Sequence, residues 1–182
     1  MTGGPGESRD LQKGDDRADV KKVAAYVLER RLDPGGNHEV WLARGADGTA
    51  VALKLGGVPQ PTDREDERIP GLVPVLESGT SEGMPYQVMP LVPGITLTER
   101  LVGEALLPSE AERVITTVGR TLAALHAAGR THGDVRPANV LLGQNGEVTL
   151  IDREQRAAAT PDGDRAALAM LIRGSARSST GA

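Results

Sequence analysis

The sequence contains no cysteine and no phenylalanine, and its 182 residues include one tryptophan, two tyrosines and three histidines. The absence of cysteine excludes disulfides and thiolate metal centres. Three histidines leave little for an imidazole-based metal site. With aromatics at 2%, the core has to be assembled from Leu, Val, Ile and Ala. No apolar run approaches the ~20 residues of a membrane-spanning helix, and the N-terminus is rich in Gly and Asp rather than basic then apolar. A cytoplasmic protein with no membrane partner is expected. The net charge of −4 argues against a nucleic-acid partner as well.

What remains is enough for one domain with a core or for two small lobes. Residues 1–19 carry Gly, Pro and alternating charges with almost no apolar side chains, the composition of a disordered arm. Val23 to Leu28 is apolar and fits helix or strand. A turn cluster, Leu32-Asp33-Pro34-Gly35-Gly36-Asn37, follows. Glu39–Ala43 alternates as a strand does, Asp47-Gly48 marks a hairpin, and Ala50–Leu55 reads as the next strand. Residues 72–76 and 86–89 are expected as two more strands, with residues 78–85 as the loop between them. Pro90 to Gly94, with two prolines, is placed as the boundary between an N-terminal lobe (20–89) and a C-terminal lobe (90–173).

The clearest helix runs from Ser109 to Ala128. Ser109 and Glu112 match a capping box, and Ala111, Val114, Ile115, Val118, Leu122 and Leu125 fall on one face. Gly129 suits the position just past its end. Val140–Leu142 and Val148–Ile151 flank the turn Gln144-Asn145-Gly146 as a short hairpin. Asp164–Ile172 is expected as a second helix, and 174–182 as a disordered tail.

Chemistry concentrates in Thr131–Leu142 and at Asp152. One loop carries His132, Asp134 and Asn139 and leads into an apolar strand. The second strand ends in Asp152. Two carboxylates and an amide at the mouths of two short strands suit a divalent cation and phosphate. His132 reads as a packed, hydrogen-bonded core histidine rather than an acid–base group.

The order of these parts, a Gly loop, a strand ending V-A-L-K, a linker, a long helix, H-G-D-x-x-P-x-N and I-D, resembles the protein kinase-like superfamily. The resemblance covers about Val20 to Arg173 and is nearest to bacterial serine/threonine protein kinases. It implies an α+β, two-lobe kinase-like fold, with a small antiparallel N-lobe sheet and a truncated, mainly helical C-lobe. By the same resemblance Asp134 orients the substrate hydroxyl, and Arg136 stands where serine/threonine kinases usually carry a lysine. Lys54 holds the α- and β-phosphates, while Asn139 and Asp152 bind Mg²⁺. Gly35 belongs to the phosphate loop. Val40 and Ala52 cover adenine from above and Leu141 from below, Met89 is the gatekeeper, and Pro90 and Val92 meet the adenine edge through their backbone. Asp164 matches an Asp that holds the catalytic-loop backbone. ATP and Mg²⁺ are the implied cofactors, and a protein substrate or protein partner is implied with them.

Several parts depart from the family pattern. Of the glycine loop only Gly35 survives, Asp33 and His38 standing where the flanking glycines would be. The segment from Lys54 to Pro70 is too short for the helix that supplies a glutamate to the lysine, and Glu65 and Glu67 are the glutamates left nearby. D-F-G becomes Asp152-Arg153-Glu154. Gly133 replaces the Arg of H-R-D, removing the cation that would receive a phosphorylated activation loop. About eight residues separate Glu154 from the last helix, and no A-P-E segment follows. Three functions are compatible with this set: a protein kinase-type phosphotransferase acting on Ser/Thr hydroxyls, a truncated pseudokinase acting as a nucleotide-binding or scaffold module, and a small-molecule kinase of aminoglycoside phosphotransferase type. An apolar face uncovered by truncation would call for a partner or a homodimer mate.

Overall fold

The computed structural model describes residues 21–32, 38–57, 62, 66–102, 105–154 and 157–176. The N-terminal arm, the C-terminal tail from 177, Gly35 and Asp33 in the glycine loop, and Glu65 all lie outside the described residues.

The first lobe is an antiparallel sheet of β1 (Lys22–Val23), β2 (Tyr26–Arg31), β3 (Glu39–Arg44), β4 (Ala50–Leu55), β5 (Glu77–Ser81) and β6 (Met84–Pro90). The strand order is β1-β2-β3-β4-β6-β5. The apolar stretch that fits helix or strand becomes β1 and the start of β2, turning at Ala24 in the left-handed region (φ 50°). The Asp47-Gly48 turn forms where expected, with Gly45 N–H donating to Thr49 C=O at 3.0 Å.

Side chains alternate across a strand, and the register of β3 on β4 assigns the two faces. Ala43 opposite Val51 and Trp41 opposite Leu53 look into the core, whereas Val40 opposite Lys54 and Leu42 opposite Ala52 look the other way. The core face buries Leu28, Ala43, Leu53, Leu55, Tyr86 and Val88. The opposite face carries Val40, Ala52, Lys54 and, across the next pairing, Met89.

Strands β2 and β5 are separated by β3, β4 and β6, about 19 Å in a flat sheet with strands ~4.8 Å apart. Yet the Tyr26 hydroxyl donates to Glu77 Oε2 at 2.7 Å, and the Tyr86 hydroxyl donates to Glu77 Oε1 at 2.7 Å. The sheet must therefore curl until its edges approach. The Ala24 N–H donates to Ser81 Oγ at 3.2 Å at the same closure. Burial first, and then the Glu77 carboxylate, push the Tyr26 hydroxyl up to about 12.

One expected strand is misplaced by the sequence pattern. Residues 72–76 are not a strand of this sheet, and the predicted 78–85 loop contains β5, which pairs with β6 from Glu77↔Val88 to Ser81↔Met84. The apolar 72–76 segment is drawn to the second lobe instead. Leu72 bridges Leu150 in parallel, Leu150 N–H donates to Gly71 C=O at 2.7 Å, and Val73 N–H donates to Leu150 C=O at 2.9 Å. Pro74 cannot donate to a ladder, while β5, polar throughout, takes the sheet edge.

The second lobe contains β7 (Ile95–Thr96), α1 (Leu97–Arg100), α2 (Pro108–Ala127), β8 (Val140–Leu142), β9 (Val148–Leu150) and α3 (Pro161–Ala176). The three strands form a sheet ordered β7-β8-β9. The capping box expected at Ser109 and Glu112 is not the helix start. Leu107 is the N-cap, Pro108 takes the first helical position, and the Glu110 carboxylate accepts from Leu107 N–H at 2.8 Å. Proline fits that position because its missing donor would be unpaired anyway. At the other end Gly129 N–H donates to His126 C=O and Arg130 N–H to Leu125 C=O, each at 3.0 Å. Gly129 has φ 71°, so the end is a Schellman motif. Val114, Val118, Leu122 and Leu125 from α2 pack with Leu97, Val140, Leu150 and Leu171 in the second core. The last helix begins at Pro161, earlier than the expected Asp164, and its buried residues include Asp164 and Leu171.

Candidate functional site

The two lobes meet at a charged cluster. Lys54 on β4 is 6% exposed, far below what a lysine tolerates without a partner. Its ammonium pairs with Asp152 Oδ1 across 98 residues of sequence. Asp152 follows β9 in the left-handed region (φ 60°), a conformation that Asp adopts more readily than most residues. Glu67, one of the carboxylates left near the lysine in sequence, is exposed on a 3₁₀ turn at Asp66–Arg68.

Asp134 stands opposite. The buried Asn139 amide nitrogen donates to Asp134 C=O and to Asp134 Oδ2, each at 2.8 Å, and Arg136 Nε lies 3.0 Å from the same Oδ2. With its nitrogen committed to Asp134, the remaining polar side-chain atom of Asn139 is its oxygen. Pro137 opens the 3₁₀ turn that ends at Asn139, which fixes the five-residue spacing from Asp134. Ile151 N–H donates to Asn139 C=O at 2.9 Å, tying this loop to the strand that delivers Asp152.

Carboxylate oxygens of Asp134, Asp152 and Glu154 lie within 4.8 Å of one another. Lys54 pairs with Asp152 and Arg136 with Asp134, and three carboxylates this close together suit a divalent cation. The donor set is hard oxygen throughout, which fits Mg²⁺. Glu154 is the member that motif matching omits; its signal is its place two residues beyond Asp152, in a position where the family pattern has glycine.

The loop is held from beneath by Asp164. Its Oδ2 accepts from His132 N–H at 2.8 Å and lies 2.9 Å from His126 Nε2, and its Oδ1 accepts from Gly133 N–H at 3.0 Å. Burial raises its pKa, but the bonds from His126, Gly133 and His132 outweigh this and hold the carboxyl below its usual range. His132 is fully buried, with Nε2 3.0 Å from Ile151 C=O and Nδ1 3.3 Å from the Asp134 N–H. This arrangement places the proton on Nε2. Burial pushes its pKa down, against the raising effect of the Ile151 carbonyl and the surrounding carboxylates. Gly133, at φ 82°, approaches Glu154 so closely that a Cβ would sit 2.4 Å from the Glu154 carbonyl oxygen. The arginine of the family pattern has no room there.

The remaining site candidates divide by location. Val40, Ala52 and Met89 share a sheet face with Lys54. Leu141 is half-buried in β8 next to the buried Val140, and Val92 is half-buried in the connection after β6. His38, at the end of the glycine-loop segment, packs against Gly57, and its Nδ1 is buried with no hydrogen-bond partner.

Two cations, one buried and one mostly covered, escaped motif reading. Arg153, at the position that holds Phe in D-F-G, turns away from the phosphate side. Its Nε and Nη2 donate to Asp66 Oδ2 at 2.9 and 2.6 Å. Arg130 Nη1 donates to Asp66 Oδ1 at 2.8 Å.

Comparison with known proteins adds kinship to this geometry. The model for the lipopolysaccharide kinase (Kdo/WaaP) family matches residues 95–176, and that for the phosphotransferase enzyme family matches residues 55–131. Serine/threonine-protein kinase PknE of Mycobacterium tuberculosis is 34% identical over 142 residues, covering 70% of this chain and 25% of PknE. Serine/threonine-protein kinase PkaB of Streptomyces coelicolor is 37% identical over 142 residues, covering 70% of this chain and 34% of PkaB. The kinase domain of Mycobacterium tuberculosis PknI, in a double-mutant form, aligns with a TM-score of 0.70 and 25% identity, covering 85% of this chain and 76% of that one. The chain belongs to the protein kinase-like superfamily. It has the two-lobe α+β fold of that superfamily, and spans about a quarter to a third of the length of the curated relatives it matches. Among the described residues no helix is long and apolar enough to cross a membrane.

Proposed function

We propose that this chain is an ATP-dependent phosphotransferase of protein kinase type that acts on Ser/Thr hydroxyls. The observation that carries the proposal is the Lys54–Asp152 ion pair beside the Asp134–Asn139 contact. It gathers a phosphate-binding cation, hard metal ligands and a carboxylate for the acceptor hydroxyl at one place. In this reading Asp134 receives and orients the hydroxyl, and Arg136, a largely exposed side chain beside it, meets the transferred phosphoryl group. Lys54 holds the non-transferred phosphates. Asn139, Asp152 and Glu154 hold Mg²⁺, which when bound neutralises phosphate charge. Adenine lies against Val40, Ala52, Met89, Val92 and Leu141, and Gly35 belongs to the phosphate lid. Relatives named as serine/threonine-protein kinases support the acceptor type.

Transfer of radiolabelled γ-phosphate to the chain itself or to a generic protein tests this. Asp134→Asn should reduce the rate by at least about 10³-fold, since general-base and orienting contributions are both lost. An unchanged rate in that variant refutes the assignment.

One observation favours a second reading, transfer to a small hydroxylated molecule. A cavity of about 360 Å³ opens beside Asp134, lined by Gly133, Val135, Ala158, Ala159, Thr160 and Ala167 among others. That size admits a small ligand, and both matching family models describe phosphotransferases outside the protein-kinase name. Turnover with a hydroxylated metabolite and none with protein would establish this reading over the first.

A further inference from the structure

The superfamily resemblance calls for a long helix whose glutamate holds the lysine, and for a Phe after the metal-binding Asp. Among the described residues there is no such helix, and Arg153 stands in place of the Phe, yet the cluster is assembled. The segment in the place of that helix is the 3₁₀ turn Asp66–Arg68. Asp66 is 4% exposed and Arg153 9% exposed, and Arg130 is mostly covered. One carboxylate thus receives two guanidinium groups, using Oδ2 for Arg153 and Oδ1 for Arg130.

The three residues come from three separate elements that meet at the site. Asp66 belongs to the segment after β4, which carries Lys54. Arg130 follows the end of α2 and precedes His132 by two residues. Arg153 is the neighbour of Asp152. The same segment is fixed further along by Thr121 Oγ1, which donates to Pro70 C=O at 2.9 Å, and by the Leu72–Leu150 bridge. Lys54 therefore needs no helix glutamate, because Asp152 is brought to it and held from behind.

We propose that the Arg130–Asp66–Arg153 triad is a positioning device that keeps Asp152 and Glu154 aimed at the metal and phosphate site, independent of any phosphorylated loop. Asp66 and Arg153 act through Asp152 and touch no substrate. The guanidinium fork of Arg153 contacts one carboxylate oxygen with two nitrogens, so it fixes direction as well as charge. An ammonium keeps the charge and loses the fork. The proposal deepens the phosphotransferase reading, but its primary test stands apart from activity.

Amide hydrogen exchange of the full chain, followed at residues 152–154, supplies that test for the wild type, Arg153→Lys and Asp66→Asn. Arg153→Lys should keep the fold, by circular dichroism, and accelerate exchange at 152–154 at least tenfold, with little change in α2. Asp66→Asn should do the same more strongly. If it does not fold, Arg153→Lys alone decides. Binding of a fluorescent ATP analogue is then titrated with and without Mg²⁺. The variants should lose at least tenfold in affinity with Mg²⁺ and keep their metal-free affinity. A purely structural loss would lower both alike. Wild-type exchange at 152–154 in Arg153→Lys, or parallel loss of both affinities, overturns the proposal. If the wild type itself gains no affinity from Mg²⁺, the phosphotransferase reading fails, and the exchange result still decides the triad.

Discussion

At the residue scale the catalytic loop is a set of interlocked proton and space requirements. His132 stays neutral because burial lowers its pKa below 6.5. The unfolded chain then binds more protons than the folded one as pH falls through 6.5, so stability rises with pH in this range. Its contribution is complete above pH 6.5 and is lost toward the lower folded-state value. Denaturant melts between pH 7.5 and 5 should show the wild type losing more stability than His132→Gln, and parallel curves would contradict this. Asp164 acts in a separate, more acidic window. Its carboxyl is held below 3.8, so its contribution is present above that pH and disappears on further acidification. Gly133→Ala combines a left-handed backbone with a Cβ 2.4 Å from the Glu154 carbonyl oxygen. It should cost ~2–4 kcal/mol, measurable as a shift in the urea midpoint. Asp134, Asn139 and Asp152 stand out in the sequence because the loop and the strand after it fix their spacing locally, and Lys54, 98 residues from Asp152, because it sits in the strand ending V-A-L-K. Asp66 and Arg153 were not, since 87 residues separate them and a lone Asp in a charged stretch carries no signal of burial.

At the scale of elements, periodicity located the elements it governs. The apolar face of α2 appears as read, with Leu125 fully buried. Leu125→Ala should therefore cost ~2–5 kcal/mol by the same unfolding assay. The helix start was misread because Ser109 and Glu112 satisfy the capping pattern, while Pro108 and Glu110 supply the actual terminus. β5 was invisible because its residues, Glu-Ser-Gly-Thr-Ser, have no apolar alternation. Its place is set by pairing with β6 and by the two tyrosine hydroxyls on Glu77. Glu77→Ala leaves both hydroxyls without this acceptor and should cost ~1–3 kcal/mol. The loss should concentrate in exchange protection of β2 and β5. Retained protection there would mean that the sheet curls without the clasp.

For the whole molecule, the two-lobe fold was legible from the order of motifs, whereas the way the lobes join was not. Binding of Mg²⁺-ATP to the native state must raise the melting temperature. At a hundredfold excess over Kd the stabilisation is about 2.7 kcal/mol, or roughly 5–11 °C for a chain of this size. Asp152→Asn should remove most of that rise. No shift at millimolar nucleotide would favour a non-catalytic scaffold module. The junction between the lobes also has a consequence in time. Asp66 leaves the ribosome 87 residues before Arg153, a delay of about 4–17 s at roughly 5–20 residues per second. During that interval Asp66, Leu72 and Val73 have neither Arg153 nor Leu150 to receive them. The first sheet should thus form early with its rear segment undocked, and docking should complete only after β9 emerges. A nascent chain stalled before residue 148 should be cleaved by protease near 66–76, and one stalled well past 154 should be protected there.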